Sequence, residues 1–235
     1  MKKNFFRLLS IVIIFILILC VLNIGVTTKQ GINYRVSEIK LPIYLKILDF
    51  VDRHYNYKNL VKNILGDTKD EPAKVIKIFN WVTANLNKNP KELPIIDDHP
   101  LNILIRGYGV ADQFEDIFTI LCTYAGMDSF FKSFNNHSGG AYYISFVKIQ
   151  GKWCPLSAFE GVYLTKNGAI VSVNDILLDK SILFPFALKL ANFESDTFVK
   201  EIGNIDFEAD WPLRTKGQSP IGRILYSIKN MLSFD

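Results

Sequence analysis

Cysteine is scarce in this chain, with three among 235 residues. That is too few for a small domain stapled by disulfides. Histidine is equally scarce, at three, and no Cys/His spacing of a metal site appears. There is no basic block, although lysine and arginine outnumber the acids enough to give a net charge of +4. Scattered lysines with no recognisable binding motif argue against nucleic acid. Internal repeats and low-complexity tracts are missing too. What is present is an apolar content of 49% with 21% charged residues. A chain so apolar, with so little net charge, can bury a core and is not intrinsically disordered.

Long uncharged runs are also rare, and only one reaches membrane-spanning length. Leu8 to Val26 is 19 residues without a charge. As a helix it nearly matches a hydrocarbon core of roughly 30 Å. Lys2, Lys3 and Arg7 precede it, so the positive-inside bias predicts a single-pass anchor with a cytoplasmic N-terminus. The expected organisation is then a cytoplasmic stub and signal anchor over 1–28 and a polar connector over 29–41. An extracytoplasmic domain over 42–235 follows, with the localisation at the cell membrane. A cleaved signal peptide, or lipidation at Cys20, is the rival reading of the same run.

The rest reads as α+β. Ile43, Ile47, Leu48 and Val51 recur at helical spacing, and Tyr57 to Leu65 forms a second short helix stopped by Gly66. Asp70-Glu71-Pro72 is a helix start, and Val75, Ile78, Phe79, Val82 and Leu86 form one apolar face over 71–87. A helix over 111–125 follows, with Ala111, Phe114, Phe118, Leu121, Cys122 and Ala125 on one face and Asp112, Gln113, Glu115, Asp116 and Thr119 mostly on the other. Strands are expected at 129–134, 141–149, 152–156 and 161–165, with a further one over 169–173. Gln150-Gly151 reverses the chain between the second and third. Helical stretches at 176–190 and 220–234 close the sequence. The core is expected over about 66–175, with a helical extension over 176–235.

Four pieces then stand out together. Arg106-Gly107-Tyr108-Gly109-Val110-Ala111-Asp112-Gln113 opens the central helix, and Ala125-Gly126 ends it. Gly140-Ala141-Tyr142 opens a strand, and Trp153-Cys154-Pro155-Leu156-Ser157 lies on the next. This order resembles the transglutaminase-like (papain-like cysteine protease) superfamily over about residues 66–165, most closely over 104–161. The resemblance implies a central helix packed on an antiparallel sheet. It also implies a Cys at the helix start, a His at the strand start and an Asp on the following strand. A thiol at a helix N-terminus is favoured as thiolate, a facing imidazole serves as base and then acid, and a carboxylate orients that imidazole. This chain carries Ala111, Gly140 and Ser157 at those three positions. A methyl group and a hydrogen neither attack a carbonyl nor carry a proton. The expectation is a pseudoenzyme with no cofactor and no metal, whose former cleft binds a peptide, protein or glycan. Tyr108, Asp112, Gln113, His137, Tyr142 and Trp153 are its candidate binding residues.

Blander readings stand beside these. His137 sits in the polar turn Asn135-Asn136-His137-Ser138-Gly139-Gly140, where a loop role competes with that of a replacement base. With His137 as base the chain would be a thiol-independent hydrolase or amidase. Asp112 and Gln113 cap a helix as readily as they line a cleft. Cys122 and Cys154 pack as small hydrophobes, with a disulfide as the alternative. Asp97-Asp98-His99 is a solvated loop rather than a metal site. A third reading makes the chain a structural subunit of a membrane complex, packed through 176–190 and 220–234. The sequence leaves the oligomeric state open.

Overall fold

A computed structural model of the chain describes residues 2–30, 37–96, 99–135, 140–191, 193–207 and Leu225. His137, Asp97, Asp98 and the predicted helix over 220–234, Leu225 apart, lie outside the described residues.

The first helix, α1 (Lys2–Leu22), corrects the expected anchor. The uncharged run does not stay helical. It turns at Asn23, and Gly25 already begins strand β1 (Gly25–Gln30), which pairs antiparallel with β2 (Ser37–Pro42). Only Leu8 to Leu22 is both helical and uncharged. At 1.5 Å per residue, that is about 22 Å, short of a hydrocarbon core of roughly 30 Å. Among the described residues no helix is long and apolar enough to cross a membrane. The single-pass anchor fails on this finding, and the membrane localisation and extracytoplasmic placement that rested on it fall with it. The ends of the stretch read as a polar connector lie in the β1–β2 hairpin.

The two expected helices after Pro42 are one, α2 (Ile43–Leu65). Asn56 does not break it, because its side chain donates to Asp52 O at 2.9 Å and its backbone stays in the helix. The buried residues are Tyr57, Val61 and Leu65, whereas Ile47, Leu48 and Val51 are exposed. Helix α3 (Glu71–Asn85) starts as predicted, with the Asp70 side chain accepting from Ala73 N at 3.0 Å and Pro72 in the first turn. The strand β3 (Asn87–Lys88) follows. Helix α4 (Pro100–Arg106) was not foreseen; His99 caps it, its ring nitrogen accepting from Leu101 N at 3.3 Å. Gly107 ends α4 in the left-handed region, φ 76°, and β4 (Tyr108–Gly109) pairs parallel with β3.

Helix α5 (Ala111–Tyr124) is the centre of the domain. It is buried all round from Asp112 to Cys122, including the face that carries its polar side chains. The four strands β5 (Ser129–Asn135), β6 (Ala141–Ile149), β7 (Lys152–Ser157) and β8 (Val162–Tyr163) form one antiparallel sheet in that order. The small hairpin β9 (Thr165–Lys166) and β10 (Ala169–Ile170) stands apart. The single helical stretch expected at 176–190 is broken into α6 (Val173–Leu178), a 3-10 turn (Lys180–Leu183) and α7 (Phe184–Lys189). Helix α8 (Ser195–Gly203) completes this layer.

Side-chain alternation gives each sheet face its own core. Val147, Ile149, Cys154 and Leu156 join α2 to α5 in one. Phe130, Phe134, Tyr142, Phe146 and Trp153 join α6 to α8 in the other. Helices therefore cover both faces of the sheet. Cys122 and Cys154 are buried and free.

Candidate functional site

The start of α5 is strapped to the turn before it. Gln113, a buried residue of the first helical turn, accepts from Val110 N at 3.2 Å and donates to Ile96 O at 2.9 Å. The Arg106 guanidinium donates to Tyr108 O at 3.1 Å and to Ile96 O at 3.3 Å, and lies 5.0 Å from the Tyr108 ring centroid. A side chain on Gly109 would meet Gln113 Oε1 at 2.8 Å, so the close approach requires glycine. Gln113 and Tyr108 are thus framework residues of the turn. Asp112 is buried, its carboxylate accepting from Gln113 N at 2.9 Å. Burial first, then the Asp112 charge, holds the Tyr143 phenol above its ordinary pKa.

Ala111 opens onto a pocket of about 220 Å³. Its other walls are Ala141, Tyr142 and Tyr143 of β6, Ser157 at the end of β7, Phe159 and Glu160 just after it, and Leu190 and Ala191. Two of the three positions singled out in the sequence, Ala111 and Ser157, therefore line one cavity. Gly140 is half-buried beside the lining residue Ala141 but is not itself among the lining residues. The Ser157 hydroxyl is directed at Glu115 Oε1, 3.3 Å away, and accepts from Glu160 N at 3.4 Å. At the rim, Lys88 Nζ pairs with Glu160 at 2.9 Å and lies 4.1 Å from the Phe159 ring centroid.

The aromatic candidates separate. Tyr142 lines the pocket while its ring stacks on Phe134, centroids 5.5 Å apart, and its hydroxyl has no partner among the described residues. Burial, then the charges of Glu201 and Glu194, raises its pKa. Trp153 is not a cleft residue; it packs in the second core against Phe130 and Phe207. A larger cavity of about 870 Å³ lies elsewhere, between the start of α3, the β6–β7 reversal and the β9–β10 hairpin. Cys154 lines it, but Ala111, Gly140 and Ser157 do not.

Sequence reading missed the residue beneath the pocket. Glu115 is fully buried, one helical turn below Ala111. It accepts from Ser145 Oγ at 2.6 Å, Ser157 Oγ at 3.3 Å and Phe159 N at 3.0 Å. Burial pushes its carboxyl up to about 7, against the pull of those hydrogen bonds. Its spacing of four from Ala111 was the only available signal, and that spacing fits an exposed face equally well.

No family model and no curated protein matches the chain. Among solved structures, the chain is similar to a candidate cysteine protease from Cytophaga hutchinsonii. The identity is 18% over 55% of this chain and 48% of that one, with a TM-score of 0.40. It is similar to a candidate protease from Parabacteroides distasonis at 14% identity, over 57% of this chain and 36% of that one, TM-score 0.38. A third likeness is to a transglutaminase ("TGase"), at 10% identity over 61% and 46% of the two chains, TM-score 0.37. In each case the match spans about half or less of the solved chain. The neighbours are thus a candidate cysteine protease, a candidate protease and a transglutaminase, at identities and superpositions too low to assign a family.

Proposed function

We propose that this is a transglutaminase-like domain that has lost thiol acyl-transfer chemistry and serves as a binding or scaffolding module for a peptide or glycan strand. The observation that carries the reading is the shared pocket of Ala111 and Ser157, with Ala141 on its wall next to Gly140. The motif order places a nucleophile, a base and an orienting acid at 111, 140 and 157, and the side chains present there supply none of the three. Ser157 is no substitute nucleophile, because its hydroxyl is buried and engaged with Glu115. A pocket of about 220 Å³ lies below the roughly 300–1,000 Å³ of sites that enclose a small molecule. It suits one small group of a longer ligand lying across the rim.

Two measurements test this. The purified full chain should show no amidase, peptidase or transamidase turnover, while peptide and oligosaccharide arrays should yield a ligand whose binding Ala141→Trp weakens at least about tenfold. Turnover, or binding indifferent to that change, overturns the reading. The triple variant Ala111→Cys, Gly140→His and Ser157→Asp, made in a Cys20→Ser background, tests the alignment. The thiol introduced at position 111 should react with iodoacetamide at least about tenfold faster than the buried Cys122 and Cys154. Equal rates would place position 111 outside an activating environment.

A further inference from the structure

The cavity of about 870 Å³ shares no lining residue with the pocket at Ala111. Its size falls inside the roughly 300–1,000 Å³ of sites that take up a small molecule. Three segments enclose it, and hydrogen bonds hold them in place. The first turn of α3 supplies Pro72 and Ala73, and Ile76 follows one turn on. Glu71 of the same turn accepts from Gln150 N at 2.6 Å, which ties the β6–β7 reversal to α3. The β9–β10 hairpin forms a further wall. Val171 N, just after that hairpin, donates to Leu164 O, just before it, at 2.9 Å.

The lining divides by chemistry. Ile149, Cys154 and Val171 are buried and form an apolar floor, with Ile76 and Tyr163 half-buried beside them. The charged groups among the described lining residues are Lys152, Lys166 and Asp175, two ammoniums against one carboxylate. That carboxylate is already engaged, since Asp175 Oδ2 accepts from Ser172 N at 2.9 Å and from Ser172 Oγ at 2.6 Å. Lys166 lies 3.7 Å from Asp179. Lys152 is exposed, and its charge acts on both Cys154 and Asp175. It therefore stands where the apolar floor meets the polar wall. Burial, then the charge of Asp175, pushes the Cys154 thiol up to about 12. It stays protonated at neutral pH, so the cavity offers recognition without a nucleophile.

We propose that this cavity is a second ligand site, for a small apolar carboxylate. The ring or chain of the ligand rests on Ile76, Ile149, Tyr163 and Val171, and its carboxylate pairs with Lys152. A cation would meet two ammoniums, and a doubly charged anion such as a phosphate monoester would be opposed by Asp175. A single negative charge on an apolar body satisfies both halves of the lining. Apolar surface removed from water supplies most of the affinity. The ion pair lies at an exposed rim, so it sets the sign of charge accepted more than the strength of binding.

Calorimetric titration of the full chain with naphthoate tests the site, with naphthylmethylammonium as the cationic match. Naphthoate should saturate a single site with a Kd below about 1 mM, and the ammonium should bind at least about tenfold more weakly. Lys152→Glu should weaken naphthoate binding at least about tenfold, and Lys152→Arg less than about threefold. Ala73→Trp, which fills part of the cavity, should also weaken it at least about tenfold. Lys180→Glu makes the same charge change on an exposed residue outside the lining and should leave binding within about twofold. Absence of saturation, equal binding of the two probes, or indifference to Lys152→Glu or Ala73→Trp overturns the proposal. So does a loss in Lys152→Arg or Lys180→Glu as large as that in Lys152→Glu. Should Ala73→Trp not fold, the variants of the exposed Lys152 and Lys180 keep the test decisive. None of these changes touches the pocket at Ala111, so a failure here leaves the binding role of that pocket to its own test.

Discussion

Glycine at position 109 sets how closely the turn approaches the central helix. A Cβ there would lie 2.8 Å from Gln113 Oε1 and 3.2 Å from Ile103 Cγ2. Gly109→Ala should push the Gln113 amide off Val110 N and Ile96 O, leaving buried polar groups unpaired. A loss of about 1–3 kcal/mol in urea unfolding is expected; a change below about 0.5 kcal/mol would mean the loop adapts freely. Gly107 and Gly109 were legible as part of the segment that opens the central helix. The reason for Gly109, a glutamine amide two residues into the helix, was not, because hydrogen-bond partners distant in sequence leave no periodic trace. Glu115 is the same case: Ser145 and Ser157 are 30 and 42 residues away.

Among the elements, α3 announced itself through a cap, a proline and a one-sided apolar stripe. Helix α5 misled. Its polar positions gather mostly on one face, as on a helix with one side in water, yet Asp112, Gln113, Glu115, Asp116 and Thr119 are all buried. The sheet on one side and three helices on the other leave that face no access to water, and hydrogen bonds satisfy it instead, those of Gln113 and Glu115 reaching residues distant in sequence. Helix α8 went unread because its nine residues give too short a pattern. It nevertheless supplies Phe198, fully buried and 5.0 Å from the Phe134 ring centroid. Phe198→Ala should cost about 3–5 kcal/mol of stability by denaturant titration. A loss under about 1 kcal/mol would show that the C-terminal helices merely rest on the sheet.

Across the whole molecule, the two cores begin at Tyr57 and draw nothing from earlier residues among those described. A chain starting at Pro42 should therefore keep its cooperative unfolding and lose less than about 1 kcal/mol, a melting shift within roughly 2–4 °C. A larger drop would assign the β1–β2 hairpin and α1 a stabilising role that the core composition does not. The sequence by itself determined the α+β order, the strand alternation that separates Trp153 from Cys154, and the presence of Ala, Gly and Ser at 111, 140 and 157. These depend on local periodicity or on residue identity, both written along the chain. Tertiary structure alone decided that the N-terminal run leaves its helix at Asn23, that Trp153 serves a second core, and that a buried carboxylate lies under Ala111. The first depends on the pairing of Gly25–Gln30 with Ser37–Pro42; the other two depend on which distant surfaces exclude water from a given side chain, and no window of neighbouring residues contains that information.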